Sequence, residues 1–125
     1  AVCRPMAQNV REGYLWPYRL PDDRTGLFHF VQDIPLSESD PGYALVSEVQ
    51  AALPQFDQKP CLILWGDKDF VFDHHFLREW QRVLPSAEVH RFANAGHYVL
   101  EDAGAEILTL VREFLARPPA SPDHA

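Results

Sequence analysis

A histidine preceded by glycine, in "NAGHYVLED", and two aspartates preceded by another glycine, in "GDKDF", are the side chains of this sequence best suited to chemistry. A neutral imidazole can take a proton on one ring nitrogen while its other N–H bonds to a carboxylate. The carboxylate fixes the tautomer and stabilises the imidazolium that forms. His97 therefore reads as a general base and Asp69 as the acid that orients it, with Asp67 as the alternative acid. A lone histidine near a turn is otherwise a structural hydrogen-bonding group. The glycine, the strand pattern ahead of it and an acid loop upstream together favour the catalytic reading.

The elements that must bring these loops together are legible in the apolar pattern. "CLILW", between Pro60 and Gly66, is a continuous apolar run of the kind buried on both faces of a parallel sheet. Asp73 is placed to cap a helix over "HHFLREWQRVL", whose Phe76, Leu77, Trp80, Val83 and Leu84 share one face and which Pro85 closes. "AEVHRF" reads as a second strand, and Ile107, Leu108, Leu110, Val111, Phe114 and Leu115 form the stripe of a last helix. Strand, helix, strand, helix implies a parallel sheet with right-handed crossovers. In such sheets ligands gather beyond the carboxyl ends of the strands, where both loops lie. Gly66 and Gly96 are expected to let the chain turn sharply there. Two strands make a poor independent sheet, so this half is expected to be one edge of a larger α/β sheet whose central strands precede Ala1. A first residue that is alanine rather than methionine agrees with a chain cut from something longer.

The first half has a different character. Arg4 to Tyr18 places Met6, Val10 and Tyr14 at helical spacing, with Pro17 as the stop. "DDRTGLFHFVQDIP" reads as a short helix capped by Asp22 or Asp23 and ended by Pro35. A third helix is expected with Asp40 as N-cap, Pro41 as its first residue and Leu45, Val46, Val49 and Leu53 as its apolar face. The organisation expected is thus a helical part over 1–56, an α/β part over 57–116 and a disordered Pro-rich tail over 117–125.

Composition narrows the function classes. The chain has 125 residues, 46% hydrophobic and 23% charged, with a net charge of −7. No basic stripe exists to meet phosphates, so nucleic acid is not an expected partner. No run approaches the ~18 apolar residues of a membrane span, and the start lacks the apolar core of a signal peptide. Cys61, inside the apolar run, reads as a buried packing thiol, and two cysteines without a C-x-x-C fit a reduced, cytoplasmic protein.

"CLILWGDKD", followed after a helix and a strand by "AGHYVLED", resembles the C-terminal third of an α/β-hydrolase, over Pro60 to Ala116. In that family the chain order is nucleophile, acid, histidine. The acid commonly ends a G-x-x-D turn, which is Asp69 here, and the histidine commonly follows a glycine, which is His97 here. The helical first half resembles the end of the cap domain inserted before these strands. "RPM", "HFVQDIPL" and the helix that follows are similar to the haloalkane dehalogenase branch. "WGDKDFVFD" and "HRFANAGHYVLEDAG" are most similar to the bacterial β-lactone decarboxylases of olefin synthesis. The resemblance implies covalent nucleophilic catalysis on a small apolar substrate, with no metal or organic cofactor. The remainder of the α/β-hydrolase core is then the partner of this chain. The departure from the pattern is the nucleophile: neither G-x-S-x-G nor G-x-D-x-G occurs, and Ser37, Ser39, Ser47, Ser86 and Ser121 fall in caps, turns or the tail. An aspartate or a serine nucleophile outside the chain is implied, and some enzymes of this branch carry their acid after an earlier strand.

Other clusters have plainer readings. His74 and His75 beside Asp73 lack H-x-x-x-H spacing, and adjacent helical residues face apart, so a solvated helix start is expected rather than a metal site. Glu101 and Asp102 are expected to open the last helix, favoured by its dipole. Phe70 and Phe72, flanking the acid loop, are expected to line an apolar substrate pocket, whereas Trp16, Phe28 and Phe30 more simply belong to a core. An esterase-like or epoxide-hydrolase-like enzyme and a non-catalytic ligand-binding relative remain alternatives, since fold alone does not fix activity. A nucleotide-binding half-domain is disfavoured by the lack of G-x-G-x-x-G.

Overall fold

The structure is a computed structural model that describes residues 1–118. It divides into two compact units, Met6–Leu53 and a second made of Ala1–Pro5 with the chain from Pro54 onward. The first five residues therefore go with the α/β part rather than with the helices that follow them.

In the α/β unit, β1 (Leu62–Gly66) and β2 (Glu88–Phe92) pair in parallel, from Leu62 opposite Glu88 to Gly66 opposite Phe92. The crossover is the helix His74–Val83, and a longer helix, Val99–Leu115, follows β2 and packs on β1. We number the helices α1 (Gln8–Leu15), α2 (Thr25–Gln32), α3 (Tyr43–Ala52), α4 (His74–Val83) and α5 (Val99–Leu115). The core is small. Phe92, Ala95 and Ile107 are buried, with Leu64, Val99, Ala103, Leu110 and Val111 packed around them. Leu77 and Leu84 anchor α4.

The strand expected to be buried on both faces is only half-buried from Leu62 to Trp65, with Gly66 alone buried. A parallel strand is covered only when neighbours flank it and helices lie on both faces; among the described residues β1 has one neighbour, β2. For the same reason Phe76 and Trp80 on α4 and Leu108 and Leu115 on α5, all expected in apolar stripes, stand exposed. Cys61 is half-buried, its thiol directed at the Phe56 carbonyl oxygen. Residues 119–125, most of the expected tail, lie outside the described residues. Arg117 is placed, with its guanidinium on the Glu88 carboxylate, a bond that helps hold Glu88 down to about 2.

The helical unit forms its three helices with shifted ends. α1 begins at Gln8, and Trp16–Tyr18 continue it as a 3₁₀ turn through Pro17. A second 3₁₀ turn, Asp22–Arg24, leads into α2; neither Asp22 nor Asp23 caps it, and Asp23 instead accepts from the Leu20 N–H. α3 begins at Tyr43, after Gly42 in the left-handed region at φ 84°. Asp40 turns backward, accepting from the Leu36 and Ser37 N–H groups, which holds its carboxyl below the usual range. Asp–Pro–Gly thus forms a turn and not a cap. No residue of α1, α2 or α3 is buried and Trp16 in the 3₁₀ turn after α1 is exposed as well, so these apolar faces, Phe28 and Phe30 included, do not form the expected core.

Candidate active site

The acid loop builds itself from neighbouring residues. Asp69 N–H donates to the Gly66 carbonyl at 3.1 Å, closing a turn at the end of β1. Asp69 Oδ1 then accepts from the N–H groups of Val71 at 2.8 Å and Phe72 at 2.9 Å. This is the local side-chain-to-backbone closure that aspartate favours in turns. The carboxylate is left presenting Oδ2 to the next loop.

The histidine loop leaves the adjacent strand end, and the two loops are laced by backbone. Asp67 N–H donates to Phe92 O at 3.1 Å and Lys68 N–H to Ala95 O at 2.9 Å. The approach leaves no room for a side chain at Gly66: a Cβ there would lie 2.5 Å from Gly96 O and 2.7 Å from Ala95 O. Neither Gly66 nor Gly96 has a positive φ, so the expectation of glycine-dependent sharp turns is corrected. These glycines serve close packing of one backbone on another.

The outcome is a contact across 28 residues of chain: His97 Nδ1 lies 3.0 Å from Asp69 Oδ2 and 3.1 Å from Oδ1. Asp69 is one-tenth exposed at its side chain and His97 three-tenths. Burial pushes the Asp69 carboxyl up. The His97 hydrogen bond and the two backbone N–H groups outweigh it and hold the carboxyl below its ordinary range. With the carboxylate ionised, Nδ1 carries the proton, and Nε2, on the far side of the ring, keeps its lone pair for a base's work. The rings of Phe72 and Phe70 lie 5.5 and 6.4 Å from the imidazole. Phe70 is 74% exposed.

Asp67, the alternative acid, is not brought to the histidine. Its Oδ1 accepts from Arg91 Nε at 2.8 Å. Asp73 caps α4, accepting from the His75 N–H at 2.9 Å. Contrary to the expectation that adjacent helical side chains diverge, the ligand atoms of Asp73, His74 and His75 lie within 4.8 Å of one another, and the two rings are 4.1 Å apart. The cluster is solvated and stands at the positive end of the α4 dipole, where a cation gains least.

One residue of the site region does more than its sequence position implies. Asp102 lies in the first turn of α5 as expected, yet it is 3% exposed. Its carboxylate accepts from Gly96 N–H at 2.8 Å, from Cys3 N–H at 2.8 and 2.9 Å, and from Arg4 N–H at 2.9 Å. Burial raises its carboxyl and these donors outweigh it, leaving it below the ordinary range. An acid in a first helical turn is ordinarily solvated, and nothing local in the sequence marks partners 99 residues away.

Comparison with known proteins agrees with this architecture. The model of the alpha/beta hydrolase fold family matches residues 15–104. A cis-3-alkyl-4-alkyloxetan-2-one decarboxylase of Shewanella oneidensis is 47% identical over 112 residues, covering 90% of this chain and 35% of that protein. The enzyme of the same name from Xanthomonas campestris is 43% identical over 118 residues, covering 94% and 39%. A haloalkane dehalogenase of Mycobacterium marinum is 30% identical over 106 residues, covering 83% and 35%. The chain thus spans little more than a third of the length of these curated relatives. Parallel strands joined by a helical crossover agree with that match, and the chain belongs to the α/β-hydrolase fold family.

Proposed function

We propose that this chain is the C-terminal portion of an α/β-hydrolase-fold enzyme of the haloalkane dehalogenase-like branch, and that it supplies the acid and the histidine of a catalytic triad. The observation that carries the reading is the 3.0 Å contact between His97 Nδ1 and the Asp69 carboxylate. The reaction is covalent nucleophilic catalysis on a small apolar molecule. A nucleophile from the rest of the enzyme, an aspartate in this branch, attacks an electrophilic carbon and forms an ester as that carbon's bond to its leaving group breaks; in a β-lactone this is the ring C–O bond, which opens to a carboxylate. His97 moves the proton that resolves the ester, and Asp69 holds His97 in the tautomer that can do so. Phe70 and Phe72, beside the imidazole, form part of the apolar wall that receives the substrate. The helical unit is the end of a cap domain. The identities to the two cis-3-alkyl-4-alkyloxetan-2-one decarboxylases favour a β-lactone bearing two alkyl groups as substrate, released as an olefin and carbon dioxide. Both cysteines are free thiols, which suits the cytoplasm.

The test is His97→Ala in the intact enzyme. Mass spectrometry should find the substrate's mass added to the protein, because the first attack does not need His97. Steady turnover should fall by about 10³-fold or more. Turnover at a near-normal rate in this variant would remove the assignment.

A further inference from the structure

The residues that hold His97 in place are not those that touch its ring. Asp102 and the segment Ala1–Arg4 form a clamp around the histidine loop. On one side of His97, the Gly96 N–H is held at 2.8 Å by Asp102 Oδ2. On the other side, the Tyr98 N–H donates to Ala1 O at 3.2 Å. The same Asp102 carboxylate binds Cys3 and Arg4 through their N–H groups, so both supports join at one buried anion. The loop has little room to move against this clamp. A Cβ on Gly96 would lie 2.6 Å from Ala1 O and 3.3 Å from Cys3 Sγ. α5 itself breaks its helical geometry immediately after Asp102, with Ala103 at φ −133° and ψ 21°.

We infer that Asp102 is a positioning residue for catalysis: by gathering the N–H groups of Gly96, Cys3 and Arg4 it fixes the backbone that aims the His97 ring at Asp69. The inference rests on the catalytic role proposed for His97. Three charge-assisted hydrogen bonds on one buried carboxylate form a rigid joint, and removing the acceptor strands three donors in the interior. The consequence differs from simple loss of stability, because one of those donors belongs to the residue before His97. An imidazole displaced by even about 1 Å from its partner loses on the order of 100-fold in rate.

The experiment compares Asp102→Ala, Asp102→Asn and Ile107→Ala in the intact enzyme labelled with ¹⁵N-histidine. Ile107 is buried in the same helix and clusters with Phe92 and Ala95 at the base of the histidine loop, so Ile107→Ala controls for lost packing beside the loop with the Asp102 hydrogen bonds kept. Asp102→Asn keeps the shape and one acceptor oxygen, so a folded variant is in hand should the alanine variant not fold. The expected result for Asp102→Ala is a kcat about 100-fold lower with KM little changed. The low-field Nδ1–H resonance of His97 should be lost to exchange. Asp102→Asn should show the same changes in smaller measure, and Ile107→Ala should lower Tm while keeping both kcat and the resonance. Asp102 variants that keep the resonance and lose no more kcat than Ile107→Ala would overturn the inference. Loss of the resonance in an enzyme whose turnover does not depend on His97 would instead leave the clamp standing and remove the catalytic role.

Discussion

The two loops of the site are fixed in different ways. Asp69 takes its backbone donors from Val71 and Phe72 and closes its turn on Gly66, all within three residues. The histidine loop takes its support from Asp102, six residues on from Gly96, and through it from Cys3 and Arg4 at separations of 99 and 98. The turn around Asp69 forms as soon as its own residues meet, and the bonds of Asp67 and Lys68 to Phe92 and Ala95 then dock it on the adjacent strand end. The histidine loop exists only once distant parts of the chain are docked, and it inherits whatever precision that docking has. The pair proposed to be catalytic therefore joins a locally determined acid to a globally determined histidine.

The largest way to break that pairing without disturbing either loop is Asp69→Asn. The amide oxygen can replace Oδ1 and still accept from Val71 and Phe72, so the acid loop keeps its turn. The amide nitrogen then stands where Oδ2 lies, 3.0 Å from His97 Nδ1. It donates to that nitrogen and forces the proton onto Nε2, which removes the base. Turnover of the intact enzyme should fall by about 10⁴-fold, with Tm within a few degrees of the parent. A loss of only a fewfold would mean that the acid of the triad lies elsewhere in the enzyme.

How much was readable in the sequence follows the same division. The acid loop was legible because its determinants are adjacent. Gly66, Asp69 and the Asp73 cap each act on residues within three of themselves, and a strand followed by a helix set the direction. The parallel pairing of β1 and β2 was legible because a helix separates them. The place of Asp102 in the first turn of α5 is legible from the helix dipole, but its burial is not, because two of its three partners, Cys3 and Arg4, are at the opposite end of the chain. The burial of apolar faces was over-read. Periodicity marks which side of α3 or α5 is apolar, but only a neighbour covers it, and among the described residues Leu45, Val46, Leu108 and Leu115 stay exposed.

Gly66 is where the two kinds of loop meet, and an intermediate effect is expected there. It belongs to the locally fixed side, yet its constraint comes from the carbonyl oxygens of Gly96 and Ala95 on the other. Those atoms are backbone and cannot swing aside, so Gly66→Ala must push the loops apart. Overpacking of this kind costs about 1–3 kcal/mol, read as a lower midpoint in urea unfolding. Because the displaced backbone is that of Gly96, turnover should fall about tenfold or more as well. Lost stability with turnover intact would show that the loops can separate without moving His97 off Asp69.

The smallest effect is expected at Asp67, which sharpens the comparison by separating mere membership of the acid loop from a share in its chemistry. Asp67 sits two residues from Asp69 and follows the same glycine, so sequence spacing alone does not distinguish them. Their partners do: Asp67 binds Arg91, a side chain 57% exposed, whereas Asp69 binds His97. An ion pair with so exposed a partner contributes at most about 1 kcal/mol. Asp67→Asn keeps an oxygen for Arg91 Nε and leaves the Asp67 N–H on Phe92 O. Turnover in the intact enzyme should stay within about twofold of the parent and the urea midpoint should hardly move, because the exposed pair it weakens is worth so little. A collapse of turnover as deep as that of Asp69→Asn would transfer the acid's role to Asp67, and with it the claim that the local turn selects which carboxylate meets the histidine.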